Sequence, residues 1–89
     1  MNNIVDMIPC GHENAVTRAE LARLTGESDR SIRDSINRSD ELVINLQDGR
    51  GYFKPLPEEA HLVEEWIMIM RSRVREENRR IRLARRWGR

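Results

Sequence analysis

Sixteen side chains of the sequence are basic and all but Lys54 are arginine, so its positive charge is carried almost entirely by guanidinium groups. A guanidinium offers a planar fork of donors that pairs bidentately with phosphate or carboxylate, which an ammonium cannot do. Nine arginines against two acids fall in residues 71–89, a net charge of +7, while residues 1–70 hold seven basic and thirteen acidic side chains, a net charge of −6. The formal total of +1 therefore hides two stretches of opposite sign. Such asymmetry implies an anionic partner for the basic stretch, or a tail that docks on an acidic neighbour. Two smaller groups of polar and basic side chains stand apart from that stretch: Arg30, Ser31, Arg33, Asn37 and Arg38 in one segment, and Arg50 between Gly49 and Gly51.

Other chemistries find little support. Cys10 and His12 could begin a metal site, but no second pair supplies the four ligands of structural zinc, and the expected reading is a polar turn with a half-buried thiol. One cysteine excludes an internal disulfide framework and fits a reducing compartment. His12 and His61 stand alone, no nucleophile and base share a recognisable pattern, and no glycine-rich phosphate loop occurs, so neither catalysis nor a cofactor is expected. Met1 to Pro9 lacks the basic start of a secretory leader. The longest apolar run, Trp66 to Met70, is far short of the roughly 18 to 20 residues that cross a bilayer. A soluble cytoplasmic protein with no membrane contact is the expectation.

The arginines must be positioned by a small set of elements. With 89 residues, 38% of them hydrophobic, the chain can build one modest core. Residues 2–8 read as a short first helix closed by Pro9, which disfavours helical geometry in the residue before it. Thr17 and Glu20 have the spacing of a capping box. The helix that follows should run to Leu24 or Thr25, burying Leu21 and Leu24, with Ala22 allowing close approach of a neighbour. Gly26 suits the positive φ of a helix C-terminus. Ser28 then caps a further helix in which Ile32 and Ile36 face inward and Arg30, Ser31, Arg33, Asn37 and Arg38 are left outside. Leu42 to Leu46 and Tyr52-Phe53 read as strands of a hairpin connected by Gln47 to Gly51, whose Asp48-Gly49 favours the positive φ angles of tight hairpin turns, with Arg50 at the tip.

Pro57-Glu58-Glu59 is a favourable first turn for a helix that meets no breaker until Gly88. Val63, Ile67, Met70, Val74, Glu77, Ile81 and Ala84 recur at steps of four and three, a heptad seam interrupted at Glu77. Trp66 to Met70 is apolar around the whole circumference, so one face can pack on the chain's own core while another needs a second chain. A homodimer through residues 62–74 is expected, with Val63, Trp66, Ile67, Met70 and Val74 in its interface. Glu76 with Arg80 and Arg73 with Glu77 could pair along the helix. Beyond them Arg79, Arg80, Arg82, Arg85 and Arg86 leave the surface positive and suited to phosphate. The organisation expected is a domain over 1–56 and a long helix over 57–89, its dimerising segment followed by an arginine-rich tail over 75–89.

From Ile8-Pro9 to Phe53, the order I-P, G-x-E-N-A-V-T-R-A-E-L-A-R-L-T-G, S-D-R-S-I-R-D-S-I and G-Y-F resembles the small winged-helix proteins of phages and prophages of Gram-positive bacteria. That resemblance implies a mainly α fold with a small β-hairpin wing, a winged helix-turn-helix followed by the long C-terminal helix. It implies binding to double-stranded DNA, with the Ser28-capped helix in the major groove and the wing along the backbone or minor groove. Arg30, Ser31, Arg33, Asn37 and Arg38 would then be groove or phosphate contacts and Arg50 the wing contact. The closing R-R-I-R-L-A-R-R-W resembles in composition the RNA-binding peptides of phage antitermination proteins. Two departures stand out: Glu27 and Ser35 occupy positions where apolar residues are usual, and Asp29 and Asp34 flank the reading arginines, where a carboxylate repels phosphate. The leading expectation is a dimeric phage or prophage regulator, or a replication or recombination accessory factor. The alternative is a module that binds a host protein or nucleoprotein complex, in the manner of an anti-CRISPR protein.

Overall fold

Helices of eight and ten residues cannot hold themselves in water, so the two that follow Thr17 depend on caps and on a shared core. The computed structural model, which describes residues 4–88, shows both. It is mainly helical, with α1 (Arg18–Thr25), α2 (Asp29–Arg38), the hairpin strands β1 (Ile44–Asn45) and β2 (Tyr52–Phe53), and a long α3 (Ala60–Arg86). Thr17 closes the capping box: its Oγ1 accepts from the Glu20 amide at 3.1 Å, and its own amide donates to Glu20 Oε1 at 3.0 Å. Gly26 ends α1 at φ 74°, and Ser28 Oγ caps α2 through the Ser31 amide.

The first helix expected over residues 2–8 is only partly described, since residues 2 and 3 lie outside the described residues. Ile4–Met7 is a single 3-10 turn rather than an α-helix. It nonetheless places Ile4, Val5 and Ile8 against Leu21 and Ile32, with Ala22 and Ile36 packed at the margin. Val5, Leu21, Ile32, Ile44 and Phe53 are fully buried. Leu24, expected inside, is 59% exposed. The inward line of α1 passes through Leu21, Ala22 and Thr25, and Leu24 falls on the opposite flank of Leu21.

β1 and β2 pair antiparallel, Ile44 opposite Phe53 and Asn45 opposite Tyr52. On its other side Tyr52 exchanges both backbone hydrogen bonds with Val16, at 2.7 and 3.0 Å, and Lys54 is bracketed by Pro9 and Gly11. The segment from Tyr52 to Lys54 thus stitches the N-terminal loop, the entry to α1 and the hairpin together. Gly51 makes this approach possible: at φ 102° an added Cβ would lie 2.1 Å from the Val16 carbonyl oxygen. The hairpin expected around Asp48-Gly49 is formed, with Gly49 at positive φ, but its strands are shorter than Leu42 to Leu46 suggested. Residues 46–51 make the loop, with Gln47, Gly49 and Gly51 at positive φ, held by the Asn45 carboxamide on the Gln47 amide and by Asp48 on the Arg50 amide. Those side chains offer the backbone local partners in place of ladder bonds.

Pro57–Glu59 forms a 3-10 turn, and α3 begins only at Ala60. Its 27 residues span about 40 Å at 1.5 Å per residue. The chain measures 49 × 31 × 24 Å, and its 15.7 Å radius of gyration exceeds the roughly 12 Å of a compact chain this long. No residue of α3 is buried. Leu62, Val63, Trp66, Ile67, Ile69 and Met70 are half-buried, and residues 71–88 are exposed throughout. The pairs Glu76–Arg80 and Arg73–Glu77 do not close among the described residues, whose ion pairs are His12–Asp48, Arg18–Asp29 and Lys54–Glu41. Free rotamers in water outweigh the small gain of an exposed pair. Among the described residues, no helix is long and apolar enough to cross a membrane.

Candidate nucleic-acid interface

With Ile32 and Ile36 turned inward, α2 presents Arg30, Arg33, Asp34, Asn37 and Arg38 to solvent, while Ser31 is half-buried and spends its amide on the Ser28 cap. The outer residues do not form one array. Arg33 and Asn37, four apart, lie on the flank toward the hairpin and α3, where they line a cleft of about 400 Å³ with Leu42, Asn45, Trp66 and Met70. At 3.6 residues per turn Arg30 falls beside Asn37, Asp34 lies next round the helix, and Arg38 stands at the far edge of the outer face. Trp66 and Met70 therefore face the chain's own cleft, while Val63, Ile67 and Val74 follow a neighbouring line of α3.

A second cleft of about 430 Å³ shares Arg33, Asn45, Gln47, Tyr52 and Arg73 with the first and extends to Thr17, Arg18, Gly49 and Gly51. It gathers Arg18 from α1, Arg33 from α2 and Arg73 from α3, and among the described residues no acid lines it. Arg18 Nε reaches Asp29 at 3.4 Å, whereas Arg33 and Arg73 take part in no ion pair among the described residues. Glu41, which lines the first cleft, has its carboxylate 3.1 Å from Lys54 Nζ. Three guanidinium groups beside a glycine-bordered loop, in a groove open to solvent, suit a phosphodiester in charge and in donor geometry.

Arg18 and Arg73 were not among the residues singled out from the sequence. Arg73 could have been found by extending the Trp66–Met70 stripe of α3 one further turn. Arg18 carried no such signal, because nothing local shows that the entry to α1 abuts the loop across the Val16–Tyr52 pairing.

The loop that carries Arg50 is braced. His12 Nε2 lies 2.7 Å from Asp48 Oδ2, its ring is 5.1 Å from that of Phe53, and its amide donates to Glu59 Oε2 at 3.0 Å. His12, isolated in the sequence, thus joins the N-terminal loop, the core, the hairpin loop and the start of α3. Desolvation raises the Asp48 carboxyl, but the His12 hydrogen bond, the Arg50 amide and the His12 charge outweigh it and leave the group below its ordinary range. Glu59 is also lowered, by the Leu56 amide and then the His12 amide. The Arg50 side chain itself is exposed. Cys10, expected half-buried, is exposed, because its segment pairs by backbone along Lys54 at the margin of the fold. No group of three or more His, Cys, Asp or Glu among the described residues could hold a metal ion.

Arg79, Arg80, Arg82, Arg85 and Arg86 lie on the exposed part of α3. Arg75, Arg79, Arg82 and Arg86, at steps of four, three and four, form one stripe. Arg80 and Arg85 fall on other faces, so the tail is positive around most of its girth. Compared with protein-family models, curated proteins and solved structures, the chain matches none.

Proposed function

We propose that the chain is a sequence-specific DNA-binding protein built on a winged helix-turn-helix, acting as a dimer on two half-sites. In this reading it is a phage or prophage transcriptional regulator, or an accessory factor in replication or recombination. The observation that carries the proposal is the acid-free cleft in which Arg18, Arg33 and Arg73 converge beside the hairpin loop, continuous with the Arg33–Asn37 flank of α2. Supporting it are two capped helices joined at Gly26, a hairpin pinned to the entry of the first, and an arginine helix that supplies the charge the domain lacks. α2 is the element read into the major groove, Arg50 the wing contact, and the cleft arginines hold phosphates.

The alternative, a module that docks on a host protein or nucleoprotein complex in the anti-CRISPR manner, is favoured by one observation. Asp29 and Asp34 stand among the arginines of α2 and would face phosphates in a DNA complex. Duplex binding measured across salt concentrations separates the two. For a DNA reader, affinity falls steeply with salt, and Arg33→Ala weakens binding about five- to tenfold while lowering the salt slope by about one. If binding is indifferent to Arg33→Ala and Arg50→Ala but vanishes on removal of residues 75–89, the tail alone binds and the reader is excluded. Absence of duplex binding at low salt gives the function to a protein partner.

A further inference from the structure

We infer that two copies of the chain pair through α3 in antiparallel orientation; this rests on the dimeric reading above and fixes its geometry. An apolar line runs along α3 through Val63, Ile67, Val74 and Ile81, beside the Trp66–Met70 stripe that faces the cleft. Where α3 leaves the domain the line continues without cover, with Val74 58% and Ile81 48% exposed. A second copy is the occupant that the charge of the helix itself selects. The segment from Glu58 to Glu65 holds four acids and no lysine or arginine, whereas residues 71–86 hold eight arginines against Glu76 and Glu77. Parallel pairing sets arginine beside arginine along the tail and acid beside acid at its start. Antiparallel pairing sets each acidic start beside the other copy's basic segment.

The apolar line has a matching symmetry. Turned end for end about a point between Met68 and Ile69, it places Val63 level with Val74 of the second copy and Val74 level with its Val63. In that register Glu64 comes between the levels of Arg71 and Arg75 of the second copy, on the same flank of the interface. Helix axes 8 to 10 Å apart bring such side chains within reach. Each arginine tail then runs back beside the other copy's domain, bringing the +7 of residues 71–89 to the −6 of residues 1–70. The charge with which a domain could hold a polyanion is thus contributed by its partner, which accounts for an acidic domain in a DNA-binding chain.

Single-cysteine variants of the full chain in a Cys10→Ser background test the orientation. The expected result is a disulfide between Val63→Cys and Val74→Cys chains when mixed and oxidised, with neither variant linking to itself and Ile81→Cys not linking to itself. Self-linking of Ile81→Cys overturns the antiparallel order and leaves a dimer of another geometry. A chain that sediments as a monomer at all concentrations and forms no 63–74 link overturns the inference together with the dimer. Salt-dependent duplex binding by the same sample decides separately whether the DNA-binding reading survives.

Discussion

The chain divides into two regions held in opposite ways. Up to Glu59, short elements surround five fully buried side chains, and the ends of α1 and α2 are satisfied by Thr17, Gly26 and Ser28. Past Met70, α3 continues with every residue exposed and no ion pair of its own among the described residues. The first region is determined by what it hides, the second by what it offers. Hydrophobic burial is non-directional and closes on itself, whereas an arginine helix in water gains little from its own contacts and much from a partner. The acidic surplus lies with the first region and the basic surplus with the second, so each region lacks the charge the other has.

If the contrast is real, damage to the hidden region should cost far more stability than damage of equal size to the exposed one. Phe53→Ala removes the largest fully buried side chain and should destabilise the fold by about 3–5 kcal/mol, enough to unfold a domain this small. Urea denaturation followed by near-ultraviolet and far-ultraviolet signals measures it. A loss below about 1 kcal/mol would mean that the core is not what holds the first region together. Gly51→Ala should come next, at about 2–3 kcal/mol, since positive φ combines there with a Cβ 2.1 Å from the Val16 carbonyl oxygen. Gly49→Ala shares the positive φ but meets nothing within 4 Å, and should cost only about 1 kcal/mol. Equal effects at the two glycines would show that the Val16–Tyr52 stitch is dispensable.

The same contrast governs what was legible in the sequence. The capping box, Gly26 and Ser28 are local signals, read from side chains within three or four residues of the amides they satisfy, and they appear as expected. Phe53 and Gly51 belong to contacts across more than thirty residues, which no local pattern reveals. The Asp48-Gly49 dipeptide marked the hairpin and its positive φ, but not the bracing of the loop, because that depends on side-chain bonds at Asn45 and Asp48 and on His12 reaching across from the N-terminal loop. Leu24 misled because an eight-residue helix buries a narrower line than its apolar residues suggest. For the interface, Arg33 and Asn37 were visible as outward residues of α2 and Arg73 lay one turn beyond the Trp66–Met70 stripe, whereas Arg18 enters the cleft only through tertiary packing. The tail arginines were the most legible, since nothing folds over them.

Local caps should have intermediate effects. Thr17→Ala removes the acceptor of the Glu20 amide and should cost about 1 kcal/mol, read from the thermal midpoint. Acid probes the same bonds. Glu20 is lowered by the Thr17 amide and then the Thr17 hydroxyl, and Asp48 and Glu59 lie below their ordinary ranges too. A carboxyl whose pKa is lower folded than unfolded adds stability that is complete above its unfolded value, about 4, and is lost as pH falls through the folded one. The first region should therefore hold steady from neutrality to about pH 5 and weaken progressively below about pH 4. A chain whose thermal midpoint is unchanged at pH 3 would deprive these bonds of any stabilising role.

The smallest expected effect is also the sharpest test of the second region. Ile81 is 48% exposed and belongs to the stretch of α3 in which every residue is exposed. In a dilute monomer, Ile81→Ser should shift stability by less than about 0.5 kcal/mol, because it removes no packed contact and changes helix propensity only slightly. At concentrations where copies associate, the apolar line of α3 has a partner to lose, and the same substitution should lower the thermal midpoint relative to the parent chain. The comparison is thus between two concentrations of one variant, with core substitutions such as Phe53→Ala destabilising at both. An Ile81→Ser effect of the same large size at high dilution would mean that the exposed end of α3 is packed within a single copy, and the division between the two regions would be lost.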